Sequence, residues 1–164
     1  MKTIFLIRHA KSSWDQPLLR DIDRPLNKRG FRDAPFMANM LSHKIQAPDQ
    51  LISSPAKRAF TTATYFAEAF KIKPADIQQE SGIYEAYAQE LMYLIQHLDA
   101  SLDTVCLFGH NPGFTNLANQ FATDFIDNVP TCGIVEISGG IDDWSEFQKK
   151  KVTVKAFYFP KQFY

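Results

Sequence analysis

Thr3-Ile4-Phe5-Leu6-Ile7-Arg8-His9-Ala10-Lys11-Ser12-Ser13 is the stretch whose reading decides the fold. From Thr3 to Ile7 the run is apolar and partly β-branched, without the alternation of a half-solvated strand. A strand of that kind is buried on both faces and belongs in the middle of a parallel sheet. It stops abruptly at Arg8-His9, and open α/β sheets place their ligands beyond the carboxyl ends of such strands. A guanidinium offers a rigid fork of donors that suits phosphate. An imidazole can serve as nucleophile, base or metal ligand. Alone, an Arg-His pair at a strand end is more often an ordinary surface or salt-bridged pair.

The pattern occurs a second time. Thr104 to Phe108 is again apolar and ends in Gly109-His110-Asn111-Pro112-Gly113, after which Phe114, Leu117, Ala118 and Phe121 mark an amphipathic helix. Two histidines at the carboxyl ends of two buried parallel strands share one crevice if the strands are neighbours.

Between these strands the chain alternates helix and strand. Trp14 to Arg24 is polar, carries Asp15, Asp21 and Asp23, and reads as a loop over the sheet edge. Asn27 is a helix N-cap, and Phe31, Ala34, Met37, Ala38 and Leu41 form the inward face of the helix that follows. Pro35 should kink that helix or mark its true start. Leu51-Ile52-Ser53 is a short strand, and Ser54-Pro55 reads as an N-cap with proline at the first helical position. Lys57 and Arg58 then fall in the first helical turn, where the dipole and free N–H groups favour an anion. A short strand is expected near Ile77, and a helix over about Gln89 to Asp99 follows Tyr84-Glu85-Ala86. Glu85 is open to two readings, a catalytic acid or a helix-start acid. Gly133 to Ser138 is a further core strand, and Val152 to Phe159 alternates as an antiparallel edge strand. The expectation is a single domain over residues 1–164, a three-layer α/β/α sandwich with a mostly parallel sheet.

Composition excludes several classes. The formal net charge is zero, so any anion site is a local cluster, and bulk charge favours neither nucleic acid nor an anionic membrane. No apolar stretch reaches the length that spans a bilayer. The four histidines have no metal-ligand spacing such as HExxH, so no metal or other cofactor is expected. Cys106 and Cys132 lie in or beside apolar runs without a CxxC, and Met1-Lys2 leads straight into the first strand. These features fit free buried thiols in the cytoplasm. Oligomeric state is not encoded in any of this.

Taken together, Leu6-Ile7-Arg8-His9-Ala10-Lys11-Ser12, Arg24-Pro25-Leu26-Asn27-Lys28-Arg29-Gly30, Ser53-Ser54-Pro55-Ala56-Lys57-Arg58-Ala59-Phe60-Thr61-Thr62-Ala63, Tyr84-Glu85-Ala86 and Gly109-His110-Asn111-Pro112-Gly113 resemble the histidine phosphatase superfamily. The resemblance spans nearly the whole chain and is greatest to the compact SixA-type phosphohistidine phosphatases. It implies the phosphoglycerate mutase-like fold without a cap domain. It also implies His9 as the nucleophile that is phosphorylated, with Arg8, Arg58 and His110 holding the phosphoryl oxygens and Glu85 as the general acid. A cationic His110 would add charge in place of Mg²⁺. Only 24 residues separate Glu85 from His110, too few for the capping helices that the resemblance implies for mutases. The implied substrate is phosphohistidine on a protein. A small-molecule phosphomonoester and a non-catalytic phosphate-binding module are the alternatives.

Overall fold

The two apolar strands do pair with each other, and the other elements are laid around them. In the computed structural model, which describes residues 1–164, β1 (Lys2–Arg8) lies parallel to β4 (Thr104–Gly109). The register sets Arg8 opposite Gly109. With β2 (Gln50–Ser53), β3 (Gln78–Gln79), β5 (Ile134–Gly139) and β6 (Thr153–Tyr158), they form one sheet in the order β3-β2-β4-β1-β5-β6. β1, β4, β2 and β3 are mutually parallel. β6 is an antiparallel edge strand on β5, as its alternation predicts. The reversal of direction lies one strand further in, because β5 also runs against β1.

Four helices cover the sheet: α1 (Lys28–Ser42), α2 (Lys57–Ala69), α3 (Ala88–Gln96) and α4 (Gly113–Asn119). Alternate side chains of a strand point to opposite faces. Phe5, Ile7, Cys106 and Phe108 therefore join Ala34, Met37, Leu41, Ala63 and Phe66 on the α1/α2 side. Ile4, Leu6, Val105 and Leu107 join Leu91, Ile95, Phe114 and Leu117 on the α3/α4 side. The chain moves one way across the sheet from β1 through β2 to β3, then returns to β4. Right-handed crossovers put the helices of opposite moves on opposite faces. The result is the three-layer α/β/α sandwich expected.

Local differences from the sequence reading have local causes. Asn27 caps α1 as expected, its side chain accepting from Gly30 N at 2.9 Å. Pro35 lies inside α1, not at its start. It is on the exposed face, where the carbonyl it leaves unpaired can bond water. Phe31, read as inward, is 47% exposed, and its place in the buried stripe is taken by Gly30 and Asp33. α2 starts at Lys57 with Ala56 in the cap position, so Ser54 is not its N-cap. Ser54 N–H continues the sheet by donating to Phe108 O at 2.9 Å, and its hydroxyl is used elsewhere.

The segment after β1 is pinned to the start of α1. Ser12 bridges Leu26, and Asn27 N–H donates to Lys11 O at 2.9 Å. Gly30 permits this approach, since a Cβ there would overlap Lys11 O and stand 3.1 Å from Leu26 Cβ. Gly30→Ala is expected to destabilise the fold by about 1–3 kcal/mol, the cost of overpacking a closed contact. Denaturant midpoints measure this, and an unshifted midpoint would show that the two segments are not locked together.

Candidate active site

The β1–β4 register brings His9 and His110 to the same level on adjacent strand ends. His9 N–H donates to Gly109 O at 3.0 Å, and the two rings lie 5.2 Å apart between centroids. Both side chains are buried. The backbone around His9 is held on every side. Cys132 N–H donates to both Arg8 O and His9 O, and Ala10 N–H donates to Thr62 Oγ1 at 3.0 Å.

Ala10 O accepts from His9 Nδ1 at 2.7 Å. A carbonyl cannot donate, so Nδ1 carries the ring proton and Nε2 keeps its lone pair. Burial pulls the His9 pKa down to about 3, and nearby His110, Arg58 and Arg8 push the same way. His9 is thus neutral at neutral pH. His110 is also held neutral: burial, then Arg58, pulls it down to about 4. The cationic His110 expected from sequence does not hold in this site, because a buried imidazole beside guanidiniums charges only at a cost.

Charge comes from the arginines. Arg8 ends β1 and donates from Nη1 to Val129 O at 2.9 Å, while its buried Nε has no partner. Burial and Arg58 lower its pKa. Arg58 sits in the first turn of α2, as its spacing predicts, and is itself buried. Its Nη1 donates to Asp21 O at 2.7 Å and its Nη2 to Asp21 Oδ2 at 3.0 Å. Thr62 Oγ1 donates to Arg58 O at 2.8 Å, so one hydroxyl joins the strand end that carries His9 to the helix that carries Arg58.

Asp21, read from sequence only as part of a polar loop, is the hub of the rim. It accepts from Arg24 Nη1 at 3.0 Å and from Tyr84 Oη at 2.6 Å in addition to Arg58. Partial burial alone would raise its carboxyl pKa. The hydrogen bonds from Tyr84, Arg58 and Arg24 outweigh that and hold it well below the usual carboxylate range. Burial and the bond to Asp21 push the Tyr84 hydroxyl up to about 12, and its ring meets His110 edge-on at 5.5 Å. The spacing Asp21-x-x-Arg24 is the signal that could have picked out this acid, since one turn joins the two. Tyr84, Thr62 and Ser54 have no comparable signal.

Glu85 is exposed and forms no ion pair, yet its φ of 58° is in the left-handed region that side chains seldom adopt. It is not a helix-start acid. That position in α3 belongs to Glu90, which accepts from Tyr87 N at 2.9 Å. No group of three or more His, Cys, Asp or Glu side chains is placed to hold a metal ion. Both cysteines are free and buried, with burial raising each thiol pKa.

Fold and site together set two neutral histidines and two arginines around one crevice at the carboxyl ends of the central strands. Residues 4–101 match the histidine phosphatase superfamily (branch 1), and the chain belongs to that family. An uncharacterized chloroplast protein of Arabidopsis thaliana is 29% identical over 153 residues, covering 88% of this chain and 70% of its own length. A crystal structure assigned as the phosphohistidine phosphatase SixA of Agrobacterium tumefaciens is 28% identical. It superposes with a TM-score of 0.80 over 97% of this chain and 98% of its own. A tungstate complex of the protein histidine phosphatase SixA shares the fold at TM-score 0.82 over 98% of each chain, with 18% identity.

The depressed histidines make stability pH-dependent. An unfolded histidine binds its proton near pH 6.5, whereas folded His9 and His110 bind theirs only near 3 and 4. In that interval the unfolded chain holds more protons, so stability rises with pH and is lost as pH falls. The slope is about 1.4 kcal/mol per pH unit for each histidine. Unfolding free energies should change little above pH 7, begin to fall through pH 6.5 and approach this slope between pH 6 and 5. His9→Asn and His110→Asn should each flatten it, and an unchanged slope in both would mean that neither ring is buried neutral.

Proposed function

We propose that this chain is a metal-independent phosphatase that passes the phosphoryl group through His9 and acts on phosphohistidine of a protein. The observation that carries the reading is the His9 tautomer. Nδ1 is engaged by Ala10 O, so Nε2 offers a lone pair beside Arg8, Arg58 and His110. A pure anion binder needs no such nucleophile.

In the first step Nε2 attacks phosphorus, the bond from phosphorus to the substrate nitrogen breaks, and the departing imidazole takes up a proton. In the second step water attacks the His9 phosphoramidate, the new P–N bond breaks, and Nε2 recovers its electron pair. Phosphoryl transfer asks a protein chiefly for position and for charge on the equatorial oxygens. Arg8, Arg58 and the N-terminus of α2 answer the second need. Glu85, which follows Tyr84 at the rim, is the proposed proton donor to the leaving group and acceptor from water.

A protein substrate is supported by the open surroundings. Only one helix and one strand lie between Glu85 and His110, so no cap closes the site. Beside the His9 loop runs an open groove of about 780 Å³, lined in part by Lys11, Trp14, Lys28, Arg29 and Phe31. Trp14 stands 73% exposed there. No helix is long and apolar enough to cross a membrane, and the unlinked buried thiols suit the cytoplasm. We read residues 1–164 as one histidine phosphatase domain.

Three outcomes are expected for the mechanism. A phosphoryl adduct trapped on the wild type should be acid-labile and base-stable, and His9→Ala should abolish both adduct and turnover. Arg58→Ala should slow turnover on the order of 10²–10³-fold, the loss seen on removing one preorganised donor. Activity should survive EDTA. Normal turnover by His9→Ala would refute the covalent route.

The substrate is tested by following labelled phosphate from a phosphohistidine protein and from 3-phosphoglycerate side by side. Free phosphate from the protein is expected to dominate. Release from the small ester alone would keep the phosphatase and remove the protein substrate, and formation of 2-phosphoglycerate would make it a mutase. Glu85→Gln should slow alkyl phosphates far more than nitrophenyl phosphate, whose leaving group needs little protonation. Equal effects on both would remove Glu85 from the acid role.

A further inference from the structure

Ser54 has a use that its failure as a helix cap leaves open. It is fully buried at the end of β2, and the β2–β4 register sets Ser53 opposite Phe108. Its side chain thereby comes level with His110, and Oγ stands 2.8 Å from His110 Nε2. The same oxygen accepts from Ala56 N–H at 3.2 Å. No third group bonds it.

Two tautomers of His110 compete. If Nε2 carries the proton, Ser54 Oγ receives two donors, from Nε2 and Ala56 N, and its own hydroxyl proton has no acceptor. Nδ1 is then a bare acceptor, and a bare acceptor repels a phosphoryl oxygen. If Ser54 donates to Nε2, the hydroxyl proton is satisfied and Oγ still accepts from Ala56. The ring proton then lies on Nδ1, which is buried and has no partner in the protein. A buried donor left unpaired forfeits its hydration without return, so such a group normally has a partner in the working complex. Here the anion supplies it.

We infer that Ser54 is a positioning residue that donates to His110 Nε2, holds the ring as the Nδ1–H tautomer, and so turns His110 into a neutral hydrogen-bond donor for the transferring phosphoryl group. The inference rests on the phosphoryl-transfer reading above. It also explains how a histidine too buried to charge at neutral pH can serve an anion site: orientation of one proton replaces a full charge. The arrangement is symmetrical with His9, whose ring is locked by Ala10 O in the same tautomer for the opposite purpose, a free Nε2.

The direct test is ¹H–¹⁵N correlation of ¹⁵N-histidine-labelled protein at pH 7, with the His110 signals assigned by their loss in His110→Asn. Wild type should show a protonated Nδ1 and an unprotonated Nε2, and Ser54→Ala should lose this preference. A protonated Nε2 in wild type overturns the proposal. So does a Ser54→Ala spectrum still locked as Nδ1–H. The wild-type spectrum decides the tautomer even if Ser54→Ala does not fold. It also needs no turnover, so it separates failure of this inference from failure of the phosphatase reading. In kinetics, Ser54→Ala should lower kcat for nitrophenyl phosphate about 10–100-fold, by analogy with the loss of partners that orient metal-bound imidazoles. The loss should vanish in a His110→Ala background. Full additivity of the two substitutions would assign Ser54 a structural role instead.

Discussion

The parallel pairing of β1 with β4 is the constraint on which the rest depends. Its register puts Arg8 against Gly109 and so sets the two histidines side by side at the sheet edge. A shift of one residue would turn one imidazole away, because side chains alternate across a strand. The register itself is held by the core. Ile4 and Leu6 must face α3 and α4 while Phe5 and Ile7 face α1 and α2, and all four are buried. The burial that stabilises the sheet therefore also positions the chemistry.

Electrostatics then shape what the site can hold. The chain as a whole is neutral, yet two guanidiniums are gathered in a buried crevice, where burial and Arg58 lower the proton affinity of Arg8, and burial together with both guanidiniums lowers that of His9 and His110. Asp21 relieves part of this field from the rim by taking two bonds from Arg58. Arg24 and Tyr84 hold Asp21 in turn. Arg58 is oriented before any substrate arrives, and neutral His9 keeps its lone pair. A buried site built from full positive charges alone would be far costlier to fold.

Small hydroxyls carry much of the positioning. Thr62 ties Ala10 to Arg58, and Ser54 stands on His110. Both are fully buried, so their bonds are not exchanged with water. Neither offers a charge or a rare residue type to attract notice in a linear reading, since Ser and Thr are common in helix starts and strand ends.

Much was legible in the chain because it rests on periodicity and on local chemistry. Two strands apolar at nearly every position announced a buried sheet, Ser54-Pro55 marked the approach to α2 with Arg58 in its first turn, and Asn27 announced the start of α1. The ordered motifs around His9, Arg58 and His110 announced the family. What sequence alone could not decide was set by partners far along the chain. Pro35 was tolerated because its side of α1 meets water. Ser54 left its capping role because β2 lies beside β4, where His110 ends the neighbouring strand. His110 stays neutral well below the pH at which a free imidazole charges, because burial and Arg58, 52 residues away in sequence, disfavour its cation. Asp21 became a rim hub only when the fold delivered Arg58 and Tyr84 to it. Local pattern determines which elements form, since it acts through near neighbours on the chain. Protonation and hydrogen-bond partners depend on the field and the groups within a few ångströms in space, and only the tertiary fold supplies those.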